Sequence, residues 1–323
     1  MTTSVTIRTG ARLHFGPLAA SGSSGGQFGG LGMMVDSPGY AVTAEHSDSD
    51  ECHGQDEAAC ARVLEFVRRI RQSRESTSAV RIWITESIPS HAGLGSGTQL
   101  ALAVARAISE LTGERDVDSA TLARRVGRGQ RSAIGLHGFD RGGFLVDGGR
   151  QGSERLGTLV SRIEFPDHWR LIQVTASQSK GLSGAAEQQA FASHPAMPQS
   201  LTGDLCRIAL MEWMPALIEA DFARSSHAMY EFGLRVGQFF APIQGGVFAN
   251  RSIGELADEV RRRGFTGVAQ TSWGPTTCIL CESDKSAREL MNDLAKSTSW
   301  SECQFSIAKP LNRGAQVLWG GEA

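Results

Sequence analysis

The sequence contains no apolar run long enough to cross a bilayer, and its opening "MTTSVTIRTGARLHFG" lacks the apolar core of a secretion signal. We therefore expect a cytoplasmic protein without a membrane partner. Charge of one sign is also missing. With 32 Lys+Arg against 34 Asp+Glu the formal net charge is −2, which gives no basis for a nucleic-acid surface. The six cysteines, Cys52, Cys60, Cys206, Cys278, Cys281 and Cys303, are scattered and not spaced as a disulfide framework, so free thiols are expected. Cys278 and Cys281 fall in "TTCILCE", which reads as a strand. Three residues apart on a strand they point to opposite faces, which disfavours a shared metal. Cys60 shares a helical stripe with Val63, Leu64 and Val67, which makes it core. His46, Cys52 and His53 lie in an acidic, loop-like stretch without zinc-ligand spacing.

What is there suits a soluble enzyme-sized chain. Its 323 residues fit two domains or one large one, and 41% hydrophobic with 20% charged residues supports a real core. We expect a boundary that separates residues 1–165 from 166–323. Strand patterns fall at 4–8, 39–45, 79–86, 158–165, 169–175, 265–271, 276–282 and 302–308. Helical periodicity falls at 57–72, 97–112, 118–128, 183–193, 200–219, 221–240, 253–263 and 284–297. The mixture lacks a strict βαβ rhythm, so the fold class is α+β. Residues 135–149 form a Gly-rich stretch, and 15–32 read as either a disordered loop or a substrate lid.

One stretch stands out: "SHAGLGSGTQLALAVARA", residues 90–107. Gly93, Gly95, Ser96 and Gly97 suit neither a helix nor a strand interior. Leu100, Val104, Ala107, Ile108 and Leu111 then recur at helical spacing, so the loop feeds a helix N-terminus. Unpaired amides and the positive end of the helix dipole attract phosphate there. An ordinary Gly-rich turn is the plainer reading.

Pro89-x-x-x-Gly93-Leu94-Gly95-Ser96-Gly97, after a strand and before a helix, resembles the phosphate loop of the GHMP kinase superfamily. It lacks the Gly-Lys-Ser/Thr ending of a Walker loop. "TGARLHFG" (9–16) and "VAQTSWGPTTC" (268–278) stand where that superfamily has its N-terminal and C-terminal motifs. The resemblance implies a two-domain fold, with an N-terminal ribosomal-protein-like βαβ domain and a C-terminal ferredoxin-like α/β domain. Two departures matter. The loop continues with Thr98-Gln99 where kinases have Ser-Ser, and Trp273-Gly274-Pro275 replaces a run of glycines. With "RLHFG", "RGQRSAIGLHGFDRGGFLVDGG" (128–149) and "FFAPIQGG" (239–246), the pattern resembles the β-ribofuranosylaminobenzene 5′-phosphate synthase family of tetrahydromethanopterin biosynthesis. That resemblance implies condensation of 4-hydroxybenzoate or 4-aminobenzoate with phosphoribosyl pyrophosphate, with release of carbon dioxide and pyrophosphate and with help from Mg2+. It also implies a homodimer.

Such chemistry needs cations for phosphates, a proton acceptor for the para group, and an aromatic surface. Arg12, Arg128 and Arg131 are the candidate phosphate forks. Gly93, Gly95, Ser96, Gly97, Thr98 and Gln99 are the candidate backbone and side-chain cradle, with Ser132 beside it. His14, His91 and Asp147 are the candidate general bases, against structural roles for each. Asp147 is equally suited to an Asx turn or to magnesium; Glu231 is a candidate second metal ligand, and Asp140 a weaker one. Trp273 and the Phe239–Phe240 pair offer stacking surface, with core packing as the alternative for the phenylalanines. Two competing functions are a superfamily small-molecule kinase and a non-catalytic metabolite binder.

Overall fold

Apolar and polar residues alternate through "ARLHF". Ala11, Leu13 and Phe15 are buried in the main core, while Arg12 and His14 point to the other face, as the period of two in a strand dictates. These residues form the second half of β1 (Ser4–Pro17), which runs antiparallel to β2 (Gly30–Ser47) along nearly its whole length. A register shift between Gly10 and Ala11 turns the ribbon, so its two halves meet different neighbours. The computed structural model describes residues 4–19, 27–74, 78–129, 132–152, 156–176, 196–272 and 274–320.

The Ala41–Ser47 end of β2 pairs with β4 (Ala79–Glu86), and β3 (Glu51–His53) joins β4 in parallel. The Gly30–Met33 end pairs with β5 (Phe144–Asp147), which carries β6 (Leu159–Ile163). Among the described residues, α1 (Glu57–Arg74), α2 (Ser96–Leu111) and α4 (Ile134–Arg141) cover this sheet, and α3 (Ser119–Arg125) packs on those helices. α2 is the central one. Leu100 through Ala105 and Ala107 are all buried, because "LALAVARA" offers small and apolar residues on every side.

Between β6 and β7 (Arg170–Ala176) the chain passes to a second, antiparallel sheet. Its order is β10 (Cys303–Ala308), β7, β9 (Thr277–Cys281), β8 (Val268–Gln270). α5 (Gln199–Arg207) runs through a π-helical stretch (Ile208–Trp213) into α6 (Met214–Ile218). α7 (Phe222–Gln244), α8 (Arg251–Arg262) and α9 (Asp284–Ala295) follow. The chain then returns: β11 (Gln316–Trp319) pairs with β1 at the edge of the first sheet. Trp213 sits where the two parts join, with ring centroids 5.0 Å from both Phe15 and Phe144 and 5.9 Å from Phe232.

The mixed α+β class is as expected. Several local readings are corrected. Residues 135–149, read as a Gly-rich stretch, contain most of α4 as well as β5, whose apolar Phe144, Leu145 and Val146 lead into Asp147. The helix expected at 200–219 is interrupted by the π-helical stretch. His46, Cys52 and His53 lie in strands β2 and β3, not in a loop. Leu64 faces outward, 38% exposed, and Phe66 takes its place in the stripe with Val63 and Val67. Cys278 and Cys281 do face apart. Cys278 joins the main core and Cys281 the smaller one behind the second sheet, and burial pushes each thiol up to about 12. The helix expected at 183–193 lies outside the described residues; of the stretch 15–32, read as a loop or lid, residues 15–17 end β1 and 30–32 begin β2, while 20–26 lie outside the described residues.

Candidate active site

The loop between β4 and α2 holds two glycines in the left-handed region, Gly93 (φ +75) and Gly95 (φ +74). Glycine is needed there because L side chains rarely adopt such angles. Gly95 caps α2 with no side-chain hydrogen bond, and its carbonyl accepts from Thr98 N and Gln99 N, both at 3.1 Å. The amides of Ser96 and Gly97 therefore head the helix, where the dipole favours an anion.

Arginines converge on that turn. A Cβ at Gly95 would lie 3.2 Å from Nε of Arg12, whose backbone N–H donates to Leu94 O at 3.0 Å. A Cβ at Gly97 would lie 2.7 Å from one guanidinium nitrogen of Arg62 on α1, and 3.5 Å from one of Arg128. Arg128 follows α3 and lies over the Phe66 ring, 5.5 Å from its centroid. The strand face, α1 and the turn after α3 thus each aim a cation at the amino end of α2.

The C-terminal motif folds onto the same loop. A Cβ at Gly93 would lie 2.5 Å from the carbonyl oxygen of Gly274 and 2.7 Å from Oγ1 of Thr271. Thr276 Oγ1 donates to Ala92 O at 2.7 Å. Next along β1 from Arg12 on the same face, His14 Nδ1 lies 2.5 Å from Ser272 Oγ. Gln270 Nε2 donates to Ser272 O at 3.0 Å and to Gln244 Oε1 at 3.2 Å, while Gln270 Oε1 accepts from Ala249 N at 2.7 Å. One polar chain therefore joins "RLHFG", "FFAPIQGG" and "VAQTSWGPTTC".

The other expected residues fall as follows. Gln99 is corrected: it is fully buried, its Oε1 accepts from Thr9 Oγ1 at 2.8 Å and its Nε2 donates to Gly135 O at 2.9 Å. It braces α2 against β1 and α4 instead of facing a ligand. Thr98 is half-buried with its methyl against Gly135, and His91 is exposed within the loop at φ +61. Asp147 is fully buried at the end of β5. It accepts from Ala133 N at 2.6 Å and Gly149 N at 2.8 Å, with Ser132 Oγ at 3.4 Å. That is the Asx-turn geometry, and burial raises the carboxyl above its ordinary value against the pull of those amides. Ser132 is turned to the same bracket. Asp140 accepts from Ser119 N at 3.3 Å. Glu231 pairs with Arg235 one turn along α7. Phe240 is buried, and Phe239 packs edge-on against it. Arg131 and Trp273 lie outside the described residues. Sequence reasoning missed Arg62, Ser272, Gln270 and Gln244. The last three sit inside motifs it had noticed; Arg62 has no motif at all.

Magnesium was expected on Asp147 and Glu231. Each has its own protein partners, and no group of three or more His, Cys, Asp or Glu among the described residues is arranged to hold a metal ion. This donor set does not fit a protein-held magnesium.

Against known proteins, the family model described as GHMP kinases N terminal domain matches residues 58–146, the span from α1 into β5. A beta-ribofuranosylphenol 5'-phosphate synthase from Methanothermobacter thermautotrophicus is 30% identical over 288 residues, covering 83% of this chain and 86% of that protein. The chain belongs to this synthase family. A synthase of the same name from Archaeoglobus fulgidus is 28% identical and covers 96% of this chain and 98% of its own length. Solved structures share the fold. Homoserine kinase from Cytophaga hutchinsonii superposes with TM-score 0.66 at 16% identity, over 98% of this chain and 97% of that one. Mevalonate diphosphate decarboxylase from Enterococcus faecalis gives 0.66 at 16%, over 99% and 100%. The beta-ribofuranosylphenol 5'-phosphate synthase family thus uses the GHMP kinase fold, and a kinase function is not favoured for this member. No helix among the described residues is long and apolar enough to cross a membrane.

Proposed function

We propose that the protein condenses 4-hydroxybenzoate with phosphoribosyl pyrophosphate, releasing carbon dioxide and pyrophosphate. The observation that carries this is the convergence of Arg12, Arg62 and Arg128 on the amino end of α2, one strand step from the buried His14. Family membership supports it, and the word phenol in the relatives' names favours the hydroxy over the amino benzoate.

In this reading the cradle grips phosphate oxygens, with bidentate forks adding orientation to charge. Stabilising the departing pyrophosphate lets the bond to the anomeric carbon break. The ring carbon bearing the carboxylate attacks that centre as a base withdraws the para-hydroxyl proton. The carboxylate then leaves as carbon dioxide, its bonding pair restores the aromatic ring, and the proton returns to the phenol oxygen. His14 is the proton acceptor best enclosed for this role, since His91 lies exposed on the loop. We assign magnesium to the substrate side, carried on pyrophosphate oxygens, and derive no step from it. The reading includes a cytoplasmic homodimer. Exposed Leu210, Met211 and Ile218 within one helical segment support a partner surface, and light scattering measures the mass.

The test is release of labelled carbon dioxide from carboxyl-labelled 4-hydroxybenzoate with phosphoribosyl pyrophosphate and magnesium, without ATP. Consumption of ATP with an alcohol acceptor, and no carbon dioxide, would replace this function with a kinase.

A further inference from the structure

We infer that Ser272 is a positioning residue whose hydroxyl fixes the His14 ring in the tautomer that carries its proton on Nδ1 and presents Nε2 as proton acceptor. This rests on the proposed reaction for its purpose, though not for its geometry. Ser272 Oγ lies 3.1 Å from the carbonyl oxygen of His14 and 2.5 Å from its Nδ1. A carbonyl oxygen can only accept, so it takes the single hydroxyl proton. The serine oxygen is then left to accept from Nδ1–H. A neutral imidazole protonated at Nδ1 holds its lone pair at Nε2.

Two further observations make this arrangement look built. Ser272 holds φ at +38, a left-handed angle that a residue with a side chain adopts at a cost in free energy. The angle is maintained by Gln270 Nε2 on Ser272 O and by the Gly274 N–H on Thr271 O. A glycine there would relieve the strain and lose the hydroxyl. On the far side of the ring, a Cβ at Gly30 would lie 2.8 Å from Nε2. Only a residue without a side chain leaves that edge of the imidazole its space. The dyad spans 258 residues of sequence, so it forms only when the C-terminal motif is seated on β1.

The experiment reads the tautomer directly, by nitrogen NMR of ring-labelled histidine in the substrate-free protein, alongside steady-state kinetics. In the wild type, His14 should show Nδ1 protonated and Nε2 as acceptor. Ser272→Ala should shift the tautomer towards Nε2–H and lower kcat at least about tenfold, the scale of a disturbed general base. KM for phosphoribosyl pyrophosphate should stay within about twofold, because the arginine cradle is untouched. Ser272→Gly, which relieves the backbone, should lose the same activity while melting no lower than wild type. An Nε2–H tautomer in the wild type overturns the inference, and so does an unchanged tautomer with unchanged kcat in both variants. If the wild type shows the expected tautomer yet releases no carbon dioxide, the positioning stands and the proposed reaction falls.

Discussion

Gly93 and Gly274 meet backbone to backbone: a Cβ on the first would lie 2.5 Å from the carbonyl oxygen of the second. This contact seats the C-terminal motif against the loop that precedes α2. Backbone cannot swing aside as a side chain can, and Gly93 also needs φ +75. Gly93→Ala should therefore lower stability by about 2 kcal/mol or more and remove activity. Denaturant unfolding and the carbon dioxide assay check both.

Gly97 gives the contrasting case. What a Cβ there meets first is the flexible end of Arg62, which can move. Gly97→Ala should melt close to wild type while weakening phosphoribosyl pyrophosphate, because the displaced guanidinium no longer covers the helix end. A joint loss of stability and affinity would make position 97 a structural turn.

Each arginine of the cradle should matter separately. Arg12→Ala, Arg62→Ala and Arg128→Ala should each weaken phosphoribosyl pyrophosphate by about tenfold, on the scale of one charge-assisted hydrogen bond. The lysine variants should recover only part, since a point charge cannot reproduce the fork. Calorimetric titration at two salt concentrations separates contact from long-range attraction. Arg62 is the sharpest test, because it lies on α1 and outside every motif.

Gln99→Leu should behave in the opposite way to the arginines. It keeps the volume but leaves the Thr9 hydroxyl and the Gly135 carbonyl without their present partner in a buried setting. A loss of about 1–3 kcal/mol per stranded group is expected, with KM for phosphoribosyl pyrophosphate unchanged. A raised KM at full stability would return Gln99 to the ligand side.

Acid should loosen the far edge of the first sheet. Hydrogen bonds from Arg81, then Ser49 and His53, pull Glu51 on β3 from 4.5 to about 2. A depressed carboxylate contributes stability that is present above its unfolded value and is lost as pH falls through its folded one. Between pH 4.5 and 2, wild type should lose melting temperature more steeply than Glu51→Gln; parallel curves would remove Glu51 from the acid response.

These residues show why some of the site is legible in sequence and some is not. Gly93 and Gly95 announce themselves because a side chain adopts a left-handed turn only at a cost, and Gly97 by standing in the same Gly-rich run. The alternation Ala11 to Phe15 marks a strand face, and Arg12 between apolar neighbours asks for a reason. Gln99 is different. A polar residue in the first turn after a phosphate loop looks the same whether it faces ligand or core, and its partners are 90 and 36 positions away. The same holds for Asp147, whose short-range Asx geometry competes with any metal role that its type suggests. Arg62 is one arginine among several on α1, and only the docking of α1 beside α2 distinguishes it.

The return of β11 to β1 has a bearing on how this chain is made. Thr6 and Ile7 wait for Leu318 and Val317, which emerge from the ribosome after every other described strand. Throughout synthesis the first sheet carries a raw edge beside its longest hairpin, and the nascent protein offers that edge to any passing strand. β11 closes it, so a chain that lacks this one strand keeps the loop at the head of α2 but leaves its flank unguarded.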